Sequence, residues 1–477
     1  MANPPFSSSD EGPHYLRAIG LSGGQLVGDE APAELAPGVT ERQRAWTRQA
    51  TRLVDVPEGL YPLPSVCYIE NPRQSAACID EVPRVTDPVE AATPVGTYQP
   101  FPYLLPAAVM RLEDEPGGAD RLGRLAGGTL AVALLVLAAL VLWAGSPLSL
   151  AGLLLAVTPM AVFYAGSVNG SGIEIASGIA FFAALLRIAR GARVPAYVWG
   201  VAGGAGAVLA LTRSGGPLWA LLLLGLAVAL AGPARSWGLV RAGGRAAALS
   251  GAAVAGAVVL NRVWEAVYGP DTRVSLVAFR SVVGDSIDHA TRIVPEVVGR
   301  FGTLEYDLPL TVYVAWFAAL AVVVAAALRA GGRRERGVLA VALLAAAALP
   351  PLFFIAFTRH TGFGLQGRHL LPVLAAVPLL AGEIAWRFES RLTAFEARLL
   401  ALGVPVAVAA CHAIAFYANA RRSAVGTDGP VAFLGDAEWT PPLGWLPWLL
   451  VAAAGATLLA GPAILGAREG GRRAGRR

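Results

Sequence analysis

From about residue 122 onward the chain consists of long apolar segments separated by short polar connections, a pattern with few structural solutions. We read eleven segments, near 122–144, 148–167, 171–189, 195–212, 215–232, 246–264, 308–328, 337–357, 368–386, 396–417 and 444–466. Each has roughly the 17–25 residues that cross a hydrocarbon core. Inside a bilayer each backbone N–H and C=O must be satisfied within its own segment, so apolar runs of this length are helices. Charged residues make up only 15% of the chain, against about a quarter in soluble domains. The pattern predicts an all-α polytopic membrane protein in the bacterial cytoplasmic membrane. Its softest boundary is Arg213-Ser214-Gly215-Gly216-Pro217, between the fourth and fifth segments.

Arginine placement gives the expected orientation. Lysine is absent, so all 38 basic residues are arginine, which excludes lysine Schiff-base chemistry and a P-loop lysine. Alternate connections hold Arg187, Arg190 and Arg193; Arg235, Arg241 and Arg245; Arg329, Arg333, Arg334 and Arg336; Arg387, Arg391 and Arg398; and the tail from Arg468 to Arg477. By the positive-inside rule these face the cytoplasm. The net charge of +5 is therefore a matter of topology and does not point to nucleic acid. The opposite set, 1–121, Asn169-Gly170, Arg213-Ser214, 265–307, 358–367 and 418–443, is expected outside. An outer N-terminal region needs something to carry it across, so a twelfth helix before Met1 is expected.

The expected organisation is an extracytoplasmic N-terminal loop domain over 1–121, membrane helices over 122–264, an extracytoplasmic loop over 265–307, membrane helices over 308–466, and a basic cytoplasmic tail over 467–477. Within the first domain, Asp10 to about Leu26 and Glu41 to about Asp55 read as helices. Tyr98 to Arg111 reads as an aromatic, proline-led helix lying at the membrane interface, or as a plain linker. Val274 to Arg300 alternates apolar and charged residues at helical spacing, which suits one or two amphipathic helices. Cys67 and Cys78 lie in the polar N-terminal region and could pair if it faces an oxidising side.

Polar groups with chemical potential gather in the outer set. The densest is Ser7-Ser8-Ser9-Asp10-Glu11-Gly12-Pro13-His14-Tyr15-Leu16-Arg17. Ionisable groups close to a membrane core are few and tend to be functional. The plainer alternative is a helix start, with Ser9 or Asp10 as the cap and the acids favouring the positive end of the dipole. Tyr98, Tyr103 and Asn169 belong to the same set. Glu174 lies about one turn inside an apolar segment, facing a wet cavity, pairing with an arginine or sitting at headgroup level. Gln366-Gly367-Arg368-His369 opens the ninth segment. An arginine there, Arg368 or Arg359, suits either a lipid-linked phosphate or ordinary headgroups. A carboxylate that deprotonates an acceptor hydroxyl, beside an arginine that stabilises a phosphate leaving group, would transfer sugar from a polyprenyl-phosphate donor. A divalent cation, magnesium or manganese, held by Asp10 and Glu11 could serve between carboxylate and phosphate.

Ser8-Ser9-Asp10-Glu11-Gly12-Pro13-His14-Tyr15-Leu16-Arg17-Ala18 resembles the S-P-D-E-P-A-H-x-x-R-A signature of a bacterial family of predicted integral membrane proteins, catalogued as domain of unknown function 2142. Tyr98 to Pro106, Thr158-Pro159-Met160-Ala161 with Ser167-Val168-Asn169-Gly170, and Gln366 to Pro372 resemble further segments of that family, in the same order. Cys67 and Cys78 fall where its members often carry two cysteines. The family is similar in layout to GT-C glycosyltransferases, whose first outer loop carries an acidic catalytic motif. That similarity implies Asp10, and less directly Glu11 and His14, as the acid–base or metal-binding groups. Substrate or phosphate contacts are then expected from Arg17, Tyr98, Tyr103, Asn169, Glu174, Arg359, Gln366 and Arg368. Ser9, Gly170-Ser171 and His369 depart from the family's proline, Pro-Asp and tyrosine. The rival expectations are a transporter or flippase of lipid-linked glycans and a non-catalytic envelope assembly protein.

Overall fold

The computed structural model describes residues 2–62, 67–81, 84–191, 194–271 and 277–474, with no side-chain description for 81 and 462–474. Arg193 and the tail from Arg468 therefore lie outside the described side chains, as do residues 274–276 of the outer loop.

The N-terminal region folds as a small mixed layer. Helix α1 (Glu11–Ser22) is followed by β1 (Asp29–Glu30), α2 (Glu41–Ala50), β2 (Arg52–Val56), β3 (Val89–Thr93) and the short α3 (Leu104–Met110). The three strands form an antiparallel sheet in the order β1-β2-β3, with Val54 opposite Ala91. The helix expected from Glu41 to Asp55 stops at Ala50. Beyond it Leu53, Val54 and Val56 suit a pleated, half-buried surface better than a helix. Val54 and Val56 pack with Tyr15, Ile19, Tyr103 and Met110 in a core beneath α1.

Each of the eleven apolar segments is helical. The long helices are α4 (Pro116–Leu142), α7 (Gly170–Ala189), α10 (Pro233–Tyr268), α12 (Leu310–Ala330) and α13 (Arg333–Thr361). Two further spans are jointed, Gly367–Arg387 from α14 (Gly367–Leu374) and α15 (Ala376–Arg387), and Ala394–Val425 from α16 (Ala394–Arg398) and α17 (Val404–Val425). Among the described residues seven helices are long and apolar enough to cross a membrane, or eight if a bent pair counts as one span. The remaining segments are the shorter α8 (Ala196–Thr212) and α9 (Gly216–Ala231), and α18 (Trp445–Ala474), apolar over Trp445–Gly461. The expected outer-loop helix is a single one, α11 (Phe279–Val298).

The bent pair corrects the expected straight segment at 148–167. The helical stretch Pro147–Ala156, which ends in α5 (Ala151–Ala156), meets α6 (Pro159–Ala165) at 68°. The break has a local cause: Pro159 disfavours helical backbone just before it. The Thr158 hydroxyl also accepts from the Ala161 amide at 3.1 Å and starts a new helix.

Connections of the two sets collect at opposite ends of the bundle. At one end Arg190 bonds Glu383 at 2.8 Å and lies 4.0 Å from the Trp386 ring centre, Arg235 donates to the Arg190 carbonyl, and Arg329 pairs with Glu396. At the other, Ser9 N–H donates to the Gly302 carbonyl, Gln43 to that of Gly362, Trp264 to that of Thr97, and Asn419 to Asn3. The N-terminal layer is thereby tied to the 299–308, 358–367 and 418–443 connections in one polar cap.

Candidate functional site

Asp10 starts α1 with a left-handed backbone (φ 61°) and makes no side-chain cap bond. Its carboxylate pairs instead with Arg368 at the start of α14. The capping expectation for Asp10 therefore gives way to a long-range ion pair. Aspartate tolerates the left-handed region at some cost, and such backbone tends to persist where the surroundings over-determine it. The partners are unequal: the Arg368 side chain is 4% exposed, that of Asp10 49%. Arg368 Nη1 also donates to the Ser9 carbonyl at 3.1 Å, and its guanidinium carbon lies 5.2 Å from the Tyr164 ring centre. Burial alone would raise the pKa of Asp10, but the charges of Arg368 and its neighbours outweigh it and hold the carboxyl at about 2.

Two features aim Arg368. Glu296 of α11 accepts from the Gly367 amide at 2.6 Å, an acid at the positive end of α14. A Cβ at Gly367 would stand 2.7 Å from the Glu296 Cβ, so only glycine allows this approach. The bend at Thr158 in turn brings α6 round so that Tyr164 lies under the guanidinium.

His14, one turn along α1, is buried and bonds Tyr103 Oη through Nδ1 at 2.6 Å, with the Tyr98 ring 5.9 Å away edge-on. Burial, then the charge of Arg213, pushes its imidazole down to about 3, so it is neutral. The Tyr98 and Tyr103 hydroxyls are held protonated, again by burial first. Arg17 is fully buried and donates to the carbonyls of Leu26 and Tyr98 at 2.8 and 2.9 Å. It therefore pins the Tyr98 turn and is not placed to meet substrate.

Beside this group lies a cavity of about 340 Å³ whose walls include Tyr98, Glu174, Arg213, Trp219, Phe357 and His369. Glu174 faces it and is 1% exposed, with Arg213 Nε 3.5 Å from Oε2. Of the alternatives for Glu174, cavity and arginine partner are both present. Arg213 also donates to Ser171 Oγ at 2.9 Å, and Asn261 fixes its loop by donating to the Arg213 carbonyl at 2.9 Å. Asn169 caps α7, its Oδ1 accepting from Ser171 N–H at 2.6 Å.

Two expected site residues belong elsewhere. Arg359 donates to the Val277 carbonyl and stacks on Phe279. Glu11 is buried in a separate ion cluster with Arg124 and Asp120. Its Oε1 accepts from Arg124 Nε at 2.8 Å and Val168 N–H at 2.9 Å, and its Oε2 from Arg124 Nη2 at 2.5 Å and Ser8 N–H at 3.2 Å. A carboxylate offers about four lone-pair sites, so Glu11 has none left for a metal or a proton. Asp10, for its part, already faces a guanidinium. The pair does not fit the divalent-cation expectation, and among the described residues no group of three or more His, Cys, Asp and Glu side chains gathers as a metal site. Arg124 was missed because it lies inside an apolar segment, although Asp120-x-x-x-Arg124 is a helical pair legible in the sequence. Tyr164 and Trp219 carried no signal beyond being aromatic.

Cys67 and Cys78 are joined by a disulfide. Next to it Arg422 lies 3.4 Å from the Tyr68 ring centre and bonds Glu305 at 2.9 Å, fixing the 67–81 segment to α17.

The family model for predicted membrane proteins, DUF2142, matches residues 1–377. The chain belongs to the DUF2142 family. Both halves of the Asp10–Arg368 pair fall within the DUF2142 match, as do the Tyr98, Asn169 and Gln366 segments. As a DUF2142 protein with several spanning helices, it sits in a lipid bilayer. No curated protein and no solved structure matches the chain.

Proposed function

We propose that the chain is a GT-C-like glycosyltransferase that moves a sugar from a polyprenyl-phosphate donor to a cell-envelope acceptor on the extracytoplasmic face. The observation that carries this reading is a half-exposed carboxylate, Asp10, held on a buried guanidinium whose chain neighbour His369 lines an aromatic cavity. A long apolar lipid with one phosphate needs such surroundings: aromatic walls for the first isoprene units and an arginine fork for the phosphate. Arg213, on the cavity wall with Nε held by the Glu174 carboxylate at 3.5 Å and no hydrogen bond to it among the described residues, suits the phosphate better than Arg359 does. The arginine-rich connections lie at the far end from the site, which supports the outward orientation.

In the step, the acceptor hydroxyl oxygen forms a bond to the sugar's anomeric carbon, and the bond from that carbon to the phosphate oxygen breaks. The electron pair leaves on the phosphate, neutralised by Arg213 and Arg368. The hydroxyl proton passes to Asp10. A carboxyl held near 2 is a weak base while Arg368 covers it. A donor phosphate that draws Arg368 towards itself removes that charge from Asp10 and raises its basicity when substrate is bound. His14 stays neutral and positions Tyr103; Glu11 anchors the start of α1.

The reading is tested with the full chain in proteoliposomes and a polyprenyl phosphate carrying a radiolabelled sugar, incubated with cell-envelope extract. Label leaving the lipid for acceptor is the expected result. Labelled lipid crossing the bilayer at unchanged mass would overturn the reading in favour of a flippase.

A further inference from the structure

We propose that a second space, a cleft that Asp10 itself lines and that shares no lining residue with the aromatic cavity, is a carbohydrate site for an uncharged, hydroxyl-rich acceptor. It rests on the transferase reading only in the word acceptor; the site itself is argued from its walls. The space is a cleft of about 550 Å³ lined by Ser8, Asp10, Tyr61, Glu70, Thr303 and Gln366 among others. Ser8 is 3% exposed, yet its hydroxyl has no hydrogen-bond partner among the described residues. A buried hydroxyl without a partner is costly, and Ser8 belongs to the wall of this cleft. Thr303, Gln366 and the exposed oxygen face of Asp10 add donors and acceptors at several heights, which suits a ring of hydroxyls and not a single charge. Tyr61 supplies the flat apolar surface on which a sugar ring can rest.

The charge of the cleft sets the class of ligand. The carboxylates of Asp10 and Glu70 line it, and among the described residues none that lines it is basic. Arg368 stands behind Asp10, buried, and not on the wall. A uronate or phosphate entering here would meet like charge at close range, whereas a neutral sugar would find acceptors for its hydroxyl protons. The two spaces therefore differ in kind: an aromatic cavity with Arg213 for an anionic lipid, and an acidic, hydroxylated cleft for a neutral glycan. Asp10 lines the cleft, while its close neighbours Tyr98 and His369 line the cavity.

The test is a glycan array probed with the full chain in lipid nanodiscs, carrying neutral glycans beside uronic-acid and phosphate-bearing counterparts. We expect neutral glycans to be retained, with affinity falling tenfold or more in Tyr61→Ala and in Thr303→Ala. Glu70→Arg, a change at an exposed position, is expected to admit acidic glycans. Retention of no glycan, retention of acidic glycans only, or three variants indistinguishable from the parent would overturn the proposal. Binding is read without turnover. Retained neutral glycans with no sugar transfer would overturn the transferase reading and leave the cleft assignment standing. Transfer that persists in both cleft variants with no glycan retained would do the reverse.

Discussion

Asp10 and Arg368, 358 residues apart in the chain, form one ion pair across the polar end of the bundle. The pair joins the first helix to the jointed span at 367–387, so the N-terminal layer and the membrane helices build the site together. Neither half has a reacting geometry alone.

Asp10 is held at about 2 from an ordinary 3.8, so its paired form is favoured in the fold. The sign follows: this contribution to stability is complete above pH 3.8 and is lost as pH falls through about 2. The unfolding midpoint of wild type minus that of Asp10→Asn should be constant from about pH 8 to 5 and vanish between 3.8 and 2. A difference that changes between about pH 7 and 5 would contradict the assignment.

His14 gives a loss in the same direction over a higher window. Its imidazole is neutral in the fold and pushed down to about 3 from 6.5, so the unfolded chain takes up the proton first. Stability should fall as pH drops below 6.5, and more steeply for wild type than for His14→Asn, as followed by thermal unfolding in detergent.

Glu11 is expected to be structural. Its truncation to alanine strips Arg124 of two charged hydrogen bonds and leaves the Ser8 and Val168 amides without their acceptor in a buried site, and breaking such a cluster costs about 3–5 kcal/mol. Thermal unfolding of Glu11→Ala should show that loss, while transfer per folded molecule stays within about threefold of wild type. Loss of transfer without loss of stability would return Glu11 to the catalytic group.

The difference between Asp10 and Glu11 also marks what the sequence could tell. Apolar length fixed the eleven helical segments, and arginine spacing separated the two ends of the bundle. The Asp-Glu and Gln-Gly-Arg stretches stood out because charge is rare beside a membrane core. Adjacency in sequence, however, says nothing about partners: Asp10 and Glu11 look alike as letters and meet different arginines. Arg359 and Arg368 looked equivalent until one was found against Phe279 and the other against Asp10. The β2 strand was read as helix because alternation over five residues is short beside the helical pattern preceding it.

Gly367 should not tolerate a side chain. Alanine there would press on Glu296 at 2.7 Å, an overpacking that costs about 1–3 kcal/mol. Because α14 would shift and carry Arg368 with it, transfer by Gly367→Ala should fall further than its thermal stability predicts.

The Cys67–Cys78 bridge closes a loop with a sequence separation of 11, and losing a bridge of this size costs about 3 kcal/mol. Reduction, or the paired serine substitution, should lower the unfolding midpoint by a matching amount. Thiol labelling in intact cells should find the pair oxidised if the polar cap faces outward, and reduced if it faces the cytoplasm.

The central claim is that Asp10 takes the acceptor's proton at the Arg368 end of the bundle. Its most direct test is the rate of sugar transfer from a polyprenyl-phosphate donor by Asp10→Asn in proteoliposomes, with folding verified by unfolding midpoint. Loss of a general base predicts a fall of about 10²–10⁴-fold in kcat. A folded Asp10→Asn protein that transfers sugar at the wild-type rate would contradict the account.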